Sequence, residues 1–219
     1  MNRSKLALIA GVMALGACAQ GGGEQAQADN AAQPQPQQQQ VQQVQADARA
    51  QERSRARQEI GELRFTVDLS DRKVRVYRGQ QLVREHDVAV GTEEYPTPTG
   101  SWNFTQVDIN PDWTPPDSEW AEGETKQAPG APGNPMGRAR LIFNMPYTIH
   151  GTTETESLGN AESHGSIRAA NPVVLELAQL LLRSGGAWEG DDWFRNMTSQ
   201  RNQMFEIPLP DPVPIEVVE

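Results

Sequence analysis

Apolar and polar residues alternate across "LRFTVDL", with Leu63, Phe65, Val67 and Leu69 set against Arg64, Thr66 and Asp68. This period of two predicts a half-buried β-strand. The stretch "SDRK" turns the chain into "VRVY", and Arg78-Gly79 turns it again before "LVREHDVAVG", so the pattern opens as a β-meander. A stiff proline-bearing loop in "YPTPTGSWNF" leads into a further strand, and "RARLIFNM" and "YTIH" predict two more, the last ending on His150. The period changes to a helical one in "NPVVLELAQLLLRSGG". There Asn171 is placed to cap, Pro172 suits the first helical position, Gly185 or Gly186 can end the helix, and Val174, Leu175, Ala178, Leu181 and Leu182 form the expected buried face. The closing "MFEIPLPDPVPIEVVE" predicts one or two strands whose prolines favour a sheet edge. The fold class is therefore mainly β with one packed helix.

Three stretches lack such a pattern. The start, "MNRSKLALIAGVMALGACAQ", carries Arg3 and Lys5, an apolar run from Leu6 to Leu15, and small residues before Cys18. That is the layout of an export signal, and the apolar run is shorter than the roughly 20 residues a membrane span needs. Leu15-Gly16-Ala17-Cys18 resembles the bacterial lipobox, so residues 1–17 are expected to be a signal peptide and Cys18 a lipidated N-terminus. This implies a periplasmic protein held to a membrane, the outer one by preference, through its lipid alone. Residues 18–60 are expected to be a tether: Ala19 to about Ala48 has almost no large apolar residues and predicts a disordered segment with a span on the order of 30 Å. Ala48 to Ile60 predicts a short, weak helix bearing Arg49, Arg53, Arg55 and Arg57. The globular domain is expected over 61–219. Within it, Asp108 to Arg138 is rich in proline, glycine and acidic residues, and excursions of that length are uncommon unless they form a lid or a binding loop.

Composition sharpens this picture in three ways. With 219 residues, 37% hydrophobic, the chain can build one medium-sized domain, and its 19 glycines and 16 prolines favour β over a helical bundle. A net charge of −10 and no basic stripe argue against nucleic-acid binding. Cys18 is the only cysteine, so no intramolecular disulfide can form. Any covalent chemistry in the globular part must then use an oxygen nucleophile.

The segments "HDVAVGTEEYPTPTGSWNF", "NPDWTPP", "APGNPMGRARLIFNMPYTIHGT", "SLGNAESHGSIRAANPVVLELAQLL" and "PVPIEVV" follow one another as in the L,D-transpeptidase (YkuD-like) family of bacterial cell-wall enzymes. The resemblance runs from about Leu63 to Val218. It centres on His150-Gly151 and, sixteen positions after the histidine, on the last residue of Ser163-His164-Gly165-Ser166. At that last position the family carries a cysteine, and this chain carries serine. The resemblance implies a mixed β-sandwich or barrel with a helix at its side. It also implies acyl transfer from peptidoglycan stem peptides, attacked at the L-centre of position three with release of a terminal D-amino acid, and no cofactor.

On that resemblance Ser166 takes the nucleophile position and His150 that of the base, oriented by a carbonyl near Gly151. The amides near Gly165 and Ser166 would face the oxyanion. Ser163 and His164 would support the loop, Arg168 would hold a substrate carboxylate, and Trp113 would line the cleft. Each residue has a structural alternative. His150 can be a satisfied strand-end histidine, His164 can simply hold its turn, and Arg168 can pair with Glu162 or Asp191. Trp113, Trp188 and Trp193 can be core. A metal site on His150 and His164 lacks recognised ligand spacing, so none is expected. A serine hydroxyl must lose its proton during attack where a thiol is already partly ionised. Two readings stay open: a serine-dependent transpeptidase or carboxypeptidase, and an inactive lipoprotein that retains the cleft and binds peptidoglycan.

Overall fold

The structure is a computed structural model and describes residues 36–219. The expected signal peptide, Cys18 and the tether up to residue 35 lie outside the described residues. Helix α1 (Pro36–Ile60) comes first. The meander follows as β1 (Leu63–Asp68), β2 (Lys73–Arg78) and β3 (Gln81–Asp87), then the short β4 (Val90–Gly91), and β5 (Gly100–Ile109). After the excursion come β6 (Ala139–Asn144), β7 (Tyr147–Thr152), β8 (Ala161–Ser163) and β9 (Ile167–Ala170). Helices α2 (Asn171–Ser184) and α3 (Asp191–Ser199) precede the last strand, β10 (Phe205–Val218).

Eight strands form one mixed sheet in the order β3-β2-β1-β10-β5-β6-β7-β9, and β4 pairs with β8 in a small second sheet. Only β1/β10 and β7/β9 are parallel within the large sheet. The fold is mainly β and the sheet is nearly closed. Ala89, just beyond edge strand β3, exchanges two 2.9 Å backbone hydrogen bonds with Arg168 on the opposite edge strand β9. Alternation in β1 buries Leu63, Phe65 and Val67, as its period of two predicts. Phe65, Phe104, Phe143 and Trp102 form a chain of edge and tilted ring contacts at 5.1–5.8 Å between centroids.

Helix α2 packs against β5, β6, β7, β9 and β10. Its buried face is Val174, Leu177, Ala178, Leu180, Leu181 and Leu182. Leu177 and Leu180 thus join the expected stripe, while Leu175 is only partly buried.

The mainly β fold with a packed helix is as expected, and α3 is a further helix of the domain. Two expectations are corrected. Helix α1 starts twelve residues earlier than the short helix expected from Ala48, and so claims part of the segment expected to be disordered. It docks through buried Ala56 and through ion pairs of Arg53 with Glu189 (2.6 Å) and of Arg57 with Asp211. Proline-rich β10 lies inside the sheet, between β1 and β5, instead of at its edge. Its prolines are accommodated by register. Pairing with β5 shifts between Pro208 and Val213, the gap that holds Pro210 and Pro212. Beyond it the Val218 carbonyl accepts from Leu69 N–H on the β1 side. The donor missing at Pro214 points to that same side, one residue before register with β1 begins at Ile215.

Candidate active site

Parallel pairing of β7 with β9 sets Ile149 beside Ile167 and His150 beside Arg168. Ser166, immediately before β9, then falls beside Thr148, whose N–H donates to Ser166 Oγ at 3.3 Å. The turn carrying Ser166 is held from two sides. Ser163 Oγ donates to the Ser166 carbonyl and accepts from Gly165 N–H at 3.2 Å. Thr97 Oγ1 donates to the Gly165 carbonyl and accepts from Gly91 N–H, each at 2.8 Å. Gly165 has a φ of +97°, and a Cβ there would stand 2.8 Å from Tyr147 Cε1, so only glycine fits. Of the two amides expected to face an oxyanion, that of Gly165 is therefore committed to Ser163.

His150 is buried at 4% exposure. Its Nδ1 lies 2.9 Å from the Gly151 carbonyl oxygen. A carbonyl can only accept, so the proton of the neutral ring sits on Nδ1 and Nε2 carries the lone pair. Burial pushes the His150 pKa down to about 4, with Arg168 and Arg140 adding to the effect and the Gly151 and Pro135 carbonyls opposing it. At neutral pH the ring is an uncharged acceptor.

Gly151 also has no room for a side chain, because a Cβ would meet Asn171 Oδ1 at 2.3 Å. That oxygen accepts the Arg138 N–H at 2.8 Å. Asn171 therefore fastens the end of the excursion to the start of α2, close against Gly151, and does not cap α2, whose preceding residue is Ala170 with no side-chain cap.

Charges flank His150 in a row across the sheet. Register places Asp108 opposite Arg140, Arg140 opposite His150, and His150 opposite Arg168. Asp108 is fully buried and takes Arg140 Nε at 2.8 Å, Arg140 Nη2 at 2.7 Å and Gln106 Nε2 at 2.6 Å. At the other end Arg168 Nη1 meets Glu154 Oε2 at 3.0 Å. The partner of Arg168 is thus Glu154, from the loop after β7, and neither Glu162 nor Asp191; Asp191 pairs instead with Arg183 at 2.8 Å.

His164 is exposed but not bare. The Trp120 ring stacks on it at 4.1 Å and 6°, and Tyr95 meets it edge-on at 5.0 Å. Burial lowers its pKa, with Arg168 contributing and Glu94 opposing. Trp120 belongs to the excursion, residues 110–138, so this loop touches the turn that bears Ser166. Trp113 is buried in the excursion itself, its backbone exchanging two 2.9 Å hydrogen bonds with Gln127, and the aromatic contact to the turn is made by Trp120. Trp188 is packed against Trp193, Phe194 and the Arg183 guanidinium in a separate part of the core.

The structure thus brings His150, Gly151, Ser163, His164, Gly165, Ser166 and Arg168 onto β7, the end of β8, β9 and the turn between β8 and β9. Sequence reasoning missed Thr97, Trp120, Tyr95, Tyr147, Asn171 and Glu154. The paired threonines of "YPTPTG" and the tryptophan inside the long excursion were the available signals.

A family model for the L,D-transpeptidase catalytic domain (YkuD) matches residues 62–214. A protein of Bacillus licheniformis named for L,D-transpeptidase YkuD is 34% identical over 119 residues, which cover 54% of this chain and 59% of that protein. One of Fuscovulum blasticum, named for an L,D-transpeptidase in its ATP synthase subunits region, is 38% identical over 86 residues, covering 38% of this chain and 46% of its own length. The chain therefore spans about half the length of these relatives. Among solved structures, an L,D-transpeptidase from Mycobacterium smegmatis is similar at 16% identity and a TM-score of 0.45, over 72% of this chain and 59% of that one. The family match spans the whole sheet from β1 into β10, together with the histidine and the turn beside it, and the chain belongs to the YkuD family of L,D-transpeptidase catalytic domains.

Proposed function

We propose that this protein transfers acyl groups of peptidoglycan stem peptides, as an L,D-transpeptidase or L,D-carboxypeptidase, with Ser166 as nucleophile. Family membership supports the reaction class. The observation that carries the assignment is the neutral His150, whose Nδ1–H is committed to Gly151 so that Nε2 is left to accept a proton. In this reading Ser166 Oγ attacks the carbonyl of the third stem residue and its proton passes to His150 Nε2. The Ser166 N–H meets the oxyanion. Collapse breaks the C–N bond to the terminal D-amino acid, whose amine takes the proton from His150, leaving an ester on Ser166. Water or an acceptor amine then attacks the ester, again giving its proton to His150, and Ser166 leaves as the hydroxyl. Arg168 holds a substrate carboxylate, and Ser163 and His164 keep the turn in place.

A second reading has its own observation. A histidine whose pKa is about 4 is a weak base for a serine hydroxyl, which favours a protein that binds stem peptides in this cleft without turning them over. Incubation of the protein with muropeptides, followed by mass spectrometry, separates the two. Shortened or cross-linked products that vanish in Ser166→Ala establish turnover, whereas retained binding without products establishes the binding reading. From the leader and the "LGAC" stretch we infer a periplasmic lipoprotein anchored at Cys18, most simply at the outer membrane. Membrane fractionation of wild type and Cys18→Ala tests this, and an unchanged distribution sinks it.

A further inference from the structure

His150 stands between two guanidinium groups, and the two are neutralised in different ways. Arg140 is held by Asp108, a fully buried carboxylate fixed by three hydrogen bonds within the sheet. Arg168 is largely covered, its side chain 19% exposed, but its partner Glu154 is 65% exposed. Glu154 reaches it from the loop after β7 through a single 3.0 Å contact. One counter-ion is thus part of the core, and the other can swing into water at little cost. Arg168 also acts on both His150 and His164, which puts its charge inside the candidate site.

We propose that Glu154 is a specificity-determining residue, an internal stand-in for a substrate carboxylate on Arg168. This rests on the stem-peptide reading above. A ligand carrying a carboxylate displaces Glu154 and leaves the charge beside His150 unchanged, because one anion replaces another. A ligand whose corresponding group is an amide cannot make that exchange. It must enter beside an intact Arg168–Glu154 pair, or else leave the guanidinium without an anion in a partly desolvated place. Arg168 thereby favours stem peptides with a free carboxylate at this position, and Glu154, by competing for the guanidinium, narrows that preference over amidated ones. Two groups of a diaminopimelate-containing stem tetrapeptide supply the same chemistry, the side-chain carboxylate of residue three and the terminal carboxylate of residue four.

The test uses the full chain and three probes: the stem tetrapeptide, its analogue amidated at the diaminopimelate side chain, and its analogue amidated at the C-terminus. Affinities of wild type, Glu154→Gln and Arg168→Gln are measured by calorimetry. Removing the competing carboxylate is expected to tighten binding of the tetrapeptide about two- to fivefold, the span that an exposed ion pair is worth. The gain should disappear with one of the two amides, which identifies the carboxylate concerned, and Arg168→Gln should bind all three probes alike. Equal affinities of wild type and Glu154→Gln for the tetrapeptide, or a gain that persists with both amides, would overturn the proposal and leave the stem-peptide reading standing. Failure of every form to bind any of the peptides would overturn the stem-peptide reading and this proposal with it.

Discussion

Burial holds the His150 pKa near 4, a weak base for a serine hydroxyl, and in the proposed mechanism that mismatch makes Ser166→Cys informative. A thiol is partly ionised at neutral pH and asks little of its base, while general-base assistance to a hydroxyl typically supplies 10²- to 10⁴-fold. We expect Ser166→Cys to fold with less than about 1.5 kcal/mol change in stability. Its product formation from muropeptides should exceed that of the serine form by roughly 100-fold. A slower cysteine form would mean that the cleft has been retuned for oxygen. His150 also leaves a mark on stability. The unfolded chain takes up a proton near the ordinary pKa of 6.5, whereas the folded chain resists until about 4, so between these values the unfolded state binds more protons. Stability should fall as pH drops through that window, by about 3 kcal/mol in all. Denaturant titrations of wild type and His150→Asn, compared across the window, should differ by this slope, and parallel curves would contradict it.

The elements divide into those legible from alternation and those decided by distant contacts. Strands β1, β2, β6 and β7 and helix α2 follow the pattern of apolar residues, because each has one face on the core and that face is set by its own residues. The position of β10 was not legible. Prolines argue for an edge only if the missing donors point at a neighbour, and the register that turns them away is set by β1 and β5. At the site, His150 and Ser166 could be named through the resemblance to the L,D-transpeptidase family, but Thr97, Trp120 and Glu154 could not, since their contacts depend on how three loops converge. Helix α1 has no apolar stripe and holds to the domain by buried Ala56, partly buried Ile60 and ion pairs that are exposed or half-buried. Removing residues 1–57 is therefore expected to lower stability by no more than about 2 kcal/mol, as read from a urea midpoint. Trp120→Ala should cost about 1 kcal/mol by the same measurement. It should also move the His164 titration, followed by NMR, back up toward the ordinary histidine range, because the ring that shields it from water is gone. An unmoved His164 titration would show that the stack is incidental.

At the scale of the whole molecule, the site lies where the nearly closed sheet comes round on itself. The Ala89–Arg168 bridge ties the segment after β3 to the strand that carries Arg168, and the serine turn sits next to this seam. The order of strands also has a consequence for how the protein is made. The sheet is joined at its middle by β10, the last of its strands in chain order, and Phe65 pairs with Ile215 across almost the entire domain. Until Phe205–Val218 arrives, the β1–β3 meander and the β5, β6, β7, β9 group share no strand, and neither can reach its final pairing. Folding then waits on a contact of very long sequence separation, which places it among the slow, millisecond-to-second folders. A chain ending before Phe205 should show no cooperative unfolding transition. Protease sensitivity of the nascent chain should persist until Phe205–Val218 has emerged, so that the two halves of the sheet wait unjoined through most of the domain's synthesis.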